Sequence, residues 1–180
     1  MVDYFKLISQ LSLPYLETPQ EIIPKIFRVL ERRFNLKHNS SQKFIDLGSG
    51  NGQIVIYTAL NYRIKSFGVE INETLLLEAK EKIKILRKRN RKMHKLVKLI
   101  KIRNIDLFKV NLHDYDYIYI YSLPTMHKYL NHVFKSAKRN SVITSFMYEL
   151  KGFDSYLQYK DILEIKHDNK VWKVYFYIKI

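Results

Sequence analysis

The chain has 180 residues, no cysteine and a formal net charge of +15. This length carries one domain with a full core, and the missing thiols exclude disulfides, thiolate nucleophiles and zinc-thiolate sites. No apolar run approaches a membrane span and Met1-Val2-Asp3-Tyr4-Phe5-Lys6 lacks a signal peptide's basic-then-apolar order, so the expectation is a soluble cytoplasmic protein.

Residues 1–40 read as an N-terminal helical segment packed on the same domain as the core at 41–180. Two helices are expected there around a break at Leu13-Pro14-Tyr15-Leu16-Glu17-Thr18-Pro19. Thr18 suits an N-cap and Pro19 a first helical residue. The second helix should therefore run over 20–34, with Ile22, Ile23, Ile26, Phe27 and Leu30 buried and Pro24 tolerated near its start.

Strand, helix, strand, helix follows over 44–47, 53–60, 66–70 and a long helix opening after Asn72. This alternation implies an α/β, Rossmann-like, doubly wound and mostly parallel sheet with helices on both faces. Residues 80–101 hold eleven Lys or Arg and one acid. They read either as a solvated helix face or as a docking surface for RNA, ribosomes or an acidic protein.

A third strand is expected over 98–102, leading to Asp106, and a fourth over 115–121, where tyrosines alternate with isoleucines. Thr125 would cap a helix over 126–137. Residues 141–150 and 171–180 are both strand-like; without a convincing helix between them, they are expected to form an antiparallel hairpin at the sheet edge.

Chemistry concentrates at the first turn. Asp46-Leu47-Gly48-Ser49-Gly50-Asn51-Gly52 joins the first strand to its helix, and eighteen residues beyond Gly52 the second strand ends on Glu70. Glycines there permit positive φ and close approach of backbone to a ligand, while an acid ending the second strand is placed for two ribose hydroxyls. The third glycine comes one residue earlier than in the nicotinamide fingerprint, which points to an adenosyl cofactor rather than a dinucleotide.

These motifs, a seven-stranded sheet and an antiparallel last strand resemble the class I S-adenosylmethionine-dependent methyltransferases. Tyr15-Leu16-Glu17-Thr18-Pro19, the glycine turn, Gly68-Val69-Glu70-Ile71-Asn72 and Glu149-Leu150-Lys151-Gly152-Phe153 are similar to the small archaeal protein-lysine methyltransferases. Those are similar in turn to the mitochondrial enzymes that methylate ATP synthase subunit c and the adenine nucleotide translocase. The resemblance implies that Asp46 and Gly48, Ser49, Gly50, Asn51 and Gly52 hold the methionine part of S-adenosyl-L-methionine, with Glu70 on the ribose. It also implies Asp106 beside the adenine and Thr18 closing over the cofactor; Ser122, at the end of the fourth strand, is a candidate for both the cofactor and the acceptor side.

Two departures stand out. Ser122-Leu123-Pro124 replaces the Asn/Asp-Pro-Pro-aromatic signature of many enzymes that methylate planar nitrogens, and Gln53 stands where an arginine or lysine is usual. Lysine is then the expected acceptor, with RNA or a small amine as the alternative and a non-catalytic binding module as a third reading. Tyr121, Ser122 and Thr125 after the fourth strand, and Tyr148 and Glu149 near the end of the presumed sixth, are the candidates around the acceptor channel. The six histidines show no metal-ligand spacing: His127 and His132 lie five apart and His113 sits in a turn, so no metal is expected.

Overall fold

The computed structural model describes residues 16–180; the first helix expected over 1–40 lies largely outside them. Seven strands form one sheet: β1 (Lys43–Leu47), β2 (Lys65–Glu70), β3 (Ile100–Asn104), β4 (Tyr117–Ile120), β5 (Val142–Phe146), β6 (Leu157–His167) and β7 (Lys170–Lys179). Their spatial order is β3-β2-β1-β4-β5-β7-β6. The first five are mutually parallel, while β7 runs antiparallel to β5 and β6 antiparallel to β7.

Strand order reverses between β2-β1 and β1-β4, so the crevice at the carboxyl ends of β1 and β4 is the topological switch point where open α/β sheets bind ligands. It lies beside Leu47, where the glycine turn begins, and Ile120, two residues before Ser122.

Helices α1 (Ile23–Phe34), α2 (Gln53–Tyr62), α3 (Glu73–Arg89), α4 (Arg91–Leu96), α5 (Pro124–His127) and α6 (Asn131–Lys135) cover the sheet. On one face Ile26, Phe27 and Leu30 of α1 and Ile54 of α2 pack on Phe44, Tyr119, Phe146 and Phe176. On the other, Val133 and Phe134 of α6 with Phe153 pack on Ile45, Ile118, Ile120 and Ile143. The alternation in β4 thus divides between two cores: Tyr117 and Tyr119 face one and Ile118 and Ile120 the other, all buried. Each fully buried side chain of this size contributes about 1.5–3 kcal/mol against exposure.

Several boundaries differ from expectation for identifiable reasons. Helix α1 begins at Ile23, after a turn in which the Ile22 amide donates to the Pro19 carbonyl. Pro24 has no N–H to offer Gln20, so the helix cannot extend back to residue 20. Thr18 is therefore not its N-cap. Likewise α5 starts on Pro124, whose fixed φ suits a first turn, rather than after a Thr125 cap, and the helix expected over 126–137 is broken by a 3₁₀ turn at Lys128–Leu130. Asn72 does cap α3, its side chain accepting from the Thr74 and Leu75 amides.

The largest correction lies between 147 and 170. The strands near 141–150 and 171–180 do pair antiparallel, but they are not a hairpin: the eleven-residue β6 lies between them in sequence and forms the sheet edge. The strand presumed sixth is consequently β5. The actual hairpin joins β6 to β7 through Asp168 and Asn169, both at positive φ (49° and 56°), the conformation a tight type I′ turn requires.

Candidate active site

The glycine turn is a braced loop. The Gly48 and Ser49 amides both donate to the Val69 carbonyl, at 3.0 and 2.9 Å, tying the end of β1 to the end of β2. The Gly50 amide donates to Glu70 Oε2 at 2.8 Å, and Glu70 Oε1 accepts from the Ile71 and Asn72 amides at 2.8 Å each. The carboxylate is thereby aimed across the strand ends by three backbone donors, with acceptor capacity left for a ligand hydroxyl.

Packing explains two glycines that ligand approach alone does not. Gly52 has φ +79°, and a Cβ there would stand 2.7 Å from Ile102 Cδ1 and 3.2 Å from Ala79 Cβ. Gly68, in the middle of β2, would push a Cβ to 2.6 Å from Ser49 Oγ. The glycine in the second strand is thus what lets the turn lie down over β2.

Asp46 ends up buried, 3% exposed, and takes no hydrogen bond from another described residue. Burial, and then the nearby Glu70 charge, hold its carboxyl well above the usual carboxylate range. A cation lodged beside it would reverse that cost.

Residues 17 and 18 lie over the turn. Asn51 Nδ2 donates to Glu17 Oε1 at 3.0 Å, Gln53 Nε2 to the Thr18 carbonyl at 2.6 Å, and Thr18 Oγ1 shares a 2.7 Å hydrogen bond with the buried Tyr119 hydroxyl. The position usually occupied by a cation is used here by Gln53 as a clamp on the preceding segment. A narrow cavity of about 60 Å³ is lined by Gly48, Glu70, Asp106, Leu107, Phe108 and Met126, among others. Asp106 does reach the same cavity as Gly48 and Glu70, although one of its oxygens caps the following turn by accepting from the Phe108 amide.

On the acceptor side a cleft of about 460 Å³ is walled by His127, Met147, Tyr148, Glu149, Lys151 and Tyr175, with Pro124 and Lys128. Tyr121 stands edge-on to Phe146 at 4.8 Å between ring centres and 6.4 Å from Tyr148, while Phe146 stacks on Trp172 at 5.6 Å. Ser122 is buried, and its carbonyl receives His127 Nε2 at 3.3 Å; burial holds His127 below its usual pKa. Thr125 is exposed, and so is Glu149, which lies 3.9 Å from Lys151. The sequence candidates therefore divide: Tyr148 and Glu149 line the cleft, Tyr121 packs against Phe146 and Tyr148, and Ser122 meets the cleft wall through His127.

Four buried side-chain atoms around this crevice lack partners among the described residues: Ser49 Oγ, Asn51 Oδ1, Gln53 Oε1 and Ser122 Oγ. Native proteins seldom leave such atoms unpaired, and their gathering at one switch point fits a polar ligand. An adenosyl amino acid matches this set, with hydroxyl-seeking Glu70, cation-seeking Asp46 and an apolar slot at Leu107, Phe108 and Met126. Tyr119, Gln53 and Met126 were not picked out as site residues from the sequence. Tyr119 carried a signal, because a phenol in a strand buried on both faces must find a partner.

Among the described residues no group of three or more His, Asp or Glu is placed to hold a metal, and no helix is long and apolar enough to cross a membrane.

Fold and crevice together define a Rossmann-like S-adenosylmethionine-dependent methyltransferase with a seven-stranded sheet. The family model for the ANTKMT methyltransferase domain matches residues 46–156, and the chain belongs to that family. A protein-lysine N-methyltransferase of Saccharolobus islandicus (strain REY15A) is 22% identical over 168 residues, covering 92% of this chain and 93% of the relative. Among solved structures, an RNA methyltransferase from Salinibacter ruber, in complex with S-adenosyl-L-homocysteine, superposes with a TM-score of 0.70 at 21% identity, over 91% of this chain and 94% of its own. Magnesium protoporphyrin IX methyltransferase from Synechocystis PCC 6803, with bound S-adenosylmethionine, gives 0.68 at 14% identity, over 99% and 92%. At such identities the structural likeness speaks for the fold.

Proposed function

We propose that this methyltransferase acts on the ε-amino group of protein lysines. The observation that carries the reading is the open cleft beside Ser122, whose walls combine the Tyr148 and Tyr175 rings with the Glu149 carboxylate. Rings and a carboxylate attract an incoming ammonium, and no Asn/Asp-Pro-Pro-aromatic grip for a planar nitrogen follows β4. The archaeal relative named a protein-lysine N-methyltransferase supports it.

When bound, S-adenosylmethionine supplies a methyl group already activated by its sulfonium. Asp46 and the glycine turn would hold its amino acid part, Glu70 the ribose, and the slot at Asp106, Leu107 and Met126 the adenine. The remaining work is positioning and exclusion of water. The acceptor nitrogen forms the new N–C bond as the S–C bond breaks, and it must first lose a proton. With a reference pKa of about 10.4, on the order of one lysine in a few thousand is neutral at pH 7. Aromatic walls disfavour the charged form by desolvation, and Glu149, at the solvent edge of the cleft, is placed to receive the proton and pass it to water.

The eleven exposed cations over 80–101, from α3 through to β3, motivate an RNA acceptor as the second reading. Incubation of the purified protein with methyl-labelled S-adenosylmethionine and an extract of its source cells, split into protein and RNA fractions, separates the two. Label in protein is expected; label confined to RNA would replace the lysine reading with the second.

A further inference from the structure

Away from the crevice, a trough of about 430 Å³ runs between α1 and the edge strand β6. Its rims carry Lys25, Arg28, Arg32 and Arg33 from α1 and Lys166 from β6, with one carboxylate, Glu164. Val29, Leu163 and Ile165 make an aliphatic floor. Arg33 is paired with Asp161, and Glu164 with Lys173 at 3.0 Å. Among the described residues Lys25, Arg28, Arg32 and Lys166 have no ion-pair partner within 4.0 Å.

Helix stability does not account for this arrangement. Arg32 and Arg33, in the last turn of α1, favour the helix dipole, but Lys25 stands in the first turn, where a cation opposes it. Arg28 and Arg32 are like charges at i, i+4, a spacing that disfavours a helix. The two faces of α1 are sharply divided, with Ile23, Ile26, Phe27 and Leu30 buried and the cations outward.

The floor of the trough is also joined through the core to the ring behind the acceptor cleft. Ile165 on its floor pairs with Trp172 across the β6–β7 ladder. Trp172 stacks on Phe146, the last residue of β5, whose other edge meets Tyr121. Among the described residues no aromatic side chain lines the trough, so they offer no stacking platform for single-stranded bases, whereas cations over an aliphatic floor suit carboxylates carried on a polypeptide.

We propose that this trough docks an acidic stretch of the substrate protein flanking the target lysine. The proposal rests on the lysine reading, and its test separates the two. Anisotropy of a labelled Glu/Asp-rich peptide without lysine reports docking alone. A peptide of the same flank ending in lysine reports KM and kcat. The variants are Lys25→Glu/Arg28→Glu/Arg32→Glu, its milder Gln counterpart, and Lys82→Glu/Lys84→Glu/Lys88→Glu on α3 as an equal charge change elsewhere.

The trough variants are expected to weaken binding of the acidic peptide about tenfold and to raise KM by a similar factor with kcat unchanged, the effect fading in about 300 mM salt. The α3 variant should leave both nearly as they were. Equal loss from the α3 variant would overturn the proposal in favour of a diffuse charge effect. Displacement of the peptide from the trough by an RNA oligonucleotide at lower concentration would overturn it in favour of nucleic acid. Trough-dependent binding with no transfer to any lysine would overturn the lysine reading and leave the docking site standing.

Discussion

The hydrogen bond between Thr18 Oγ1 and the Tyr119 hydroxyl, 2.7 Å long and buried at both ends, fastens the segment before α1 to the centre of the sheet. Tyr119→Phe keeps the ring in its core and removes the hydroxyl, leaving Thr18, 4% exposed, without a partner. Stranding a buried polar group costs about 1–3 kcal/mol. At about 2–4 °C per kcal/mol for a chain of this size, the melting temperature should fall by roughly 2–12 °C. Thr18→Val strands the tyrosine instead, with a similar effect. The double variant removes both polar groups and should be more stable than the sum of the single losses implies, with a coupling of about 1–3 kcal/mol. Thermal melts without cofactor give the cycle, and calorimetric titration with S-adenosylmethionine shows whether the fastened segment shapes its site; each single variant should bind it more weakly. Single variants that melt with the wild type, or strictly additive losses in the double, would refute the reasoning.

Three further outcomes are expected. Asp46→Asn should raise the melting temperature of the cofactor-free protein at pH 7, because a carboxyl held above its unfolded pKa destabilises the fold increasingly as pH rises above about 4. The gain should vanish near pH 4, and the variant should lose cofactor affinity about tenfold or more while the wild type's affinity strengthens with pH. Gly52→Ala imposes φ +79° on a residue with a side chain and crowds Ala79, which should cost about 2–3 kcal/mol, or roughly 5–10 °C in a melt. His127, depressed by burial, makes the protein lose stability as pH falls below about 6.5; melts of His127→Gln between pH 7 and 5 should show a shallower loss.

The glycine turn and the acid ending β2 were legible because each places a demand that few residues meet, namely positive φ in the turn and a carboxylate at a strand end. The five parallel strands showed as apolar runs alternating with helices. Edge strand β6 did not. With solvent on one side and α1 on the other, its residues from Gln158 to Glu164 are exposed or half-buried without a clean alternation, and Lys160 at a register shift breaks the period. The signal available was Asp168-Asn169, a residue pair suited to two successive positive φ angles. The start of α1 was misplaced because Thr18-Pro19 satisfies local capping rules, whereas Pro24 and the distant Tyr119 decided its place. Asp46 was legible as a ligand residue by resemblance, but its burial, with no partner among the described residues, appears only when β2 and β4 close around β1. The orphaned atoms of Ser49, Asn51, Gln53 and Ser122 likewise exist only once the crevice is assembled.

The most direct test of the account is the chemical identity of the transferred methyl group. Protein labelled from S-adenosylmethionine is hydrolysed in acid and its amino acids separated, with Glu70→Ala, which removes the carboxylate facing the crevice, run alongside. Methyllysine carrying the label in the wild type and none in the variant is the predicted result; label recovered as methylarginine, as a base-labile ester or only as methylated nucleosides would contradict the account.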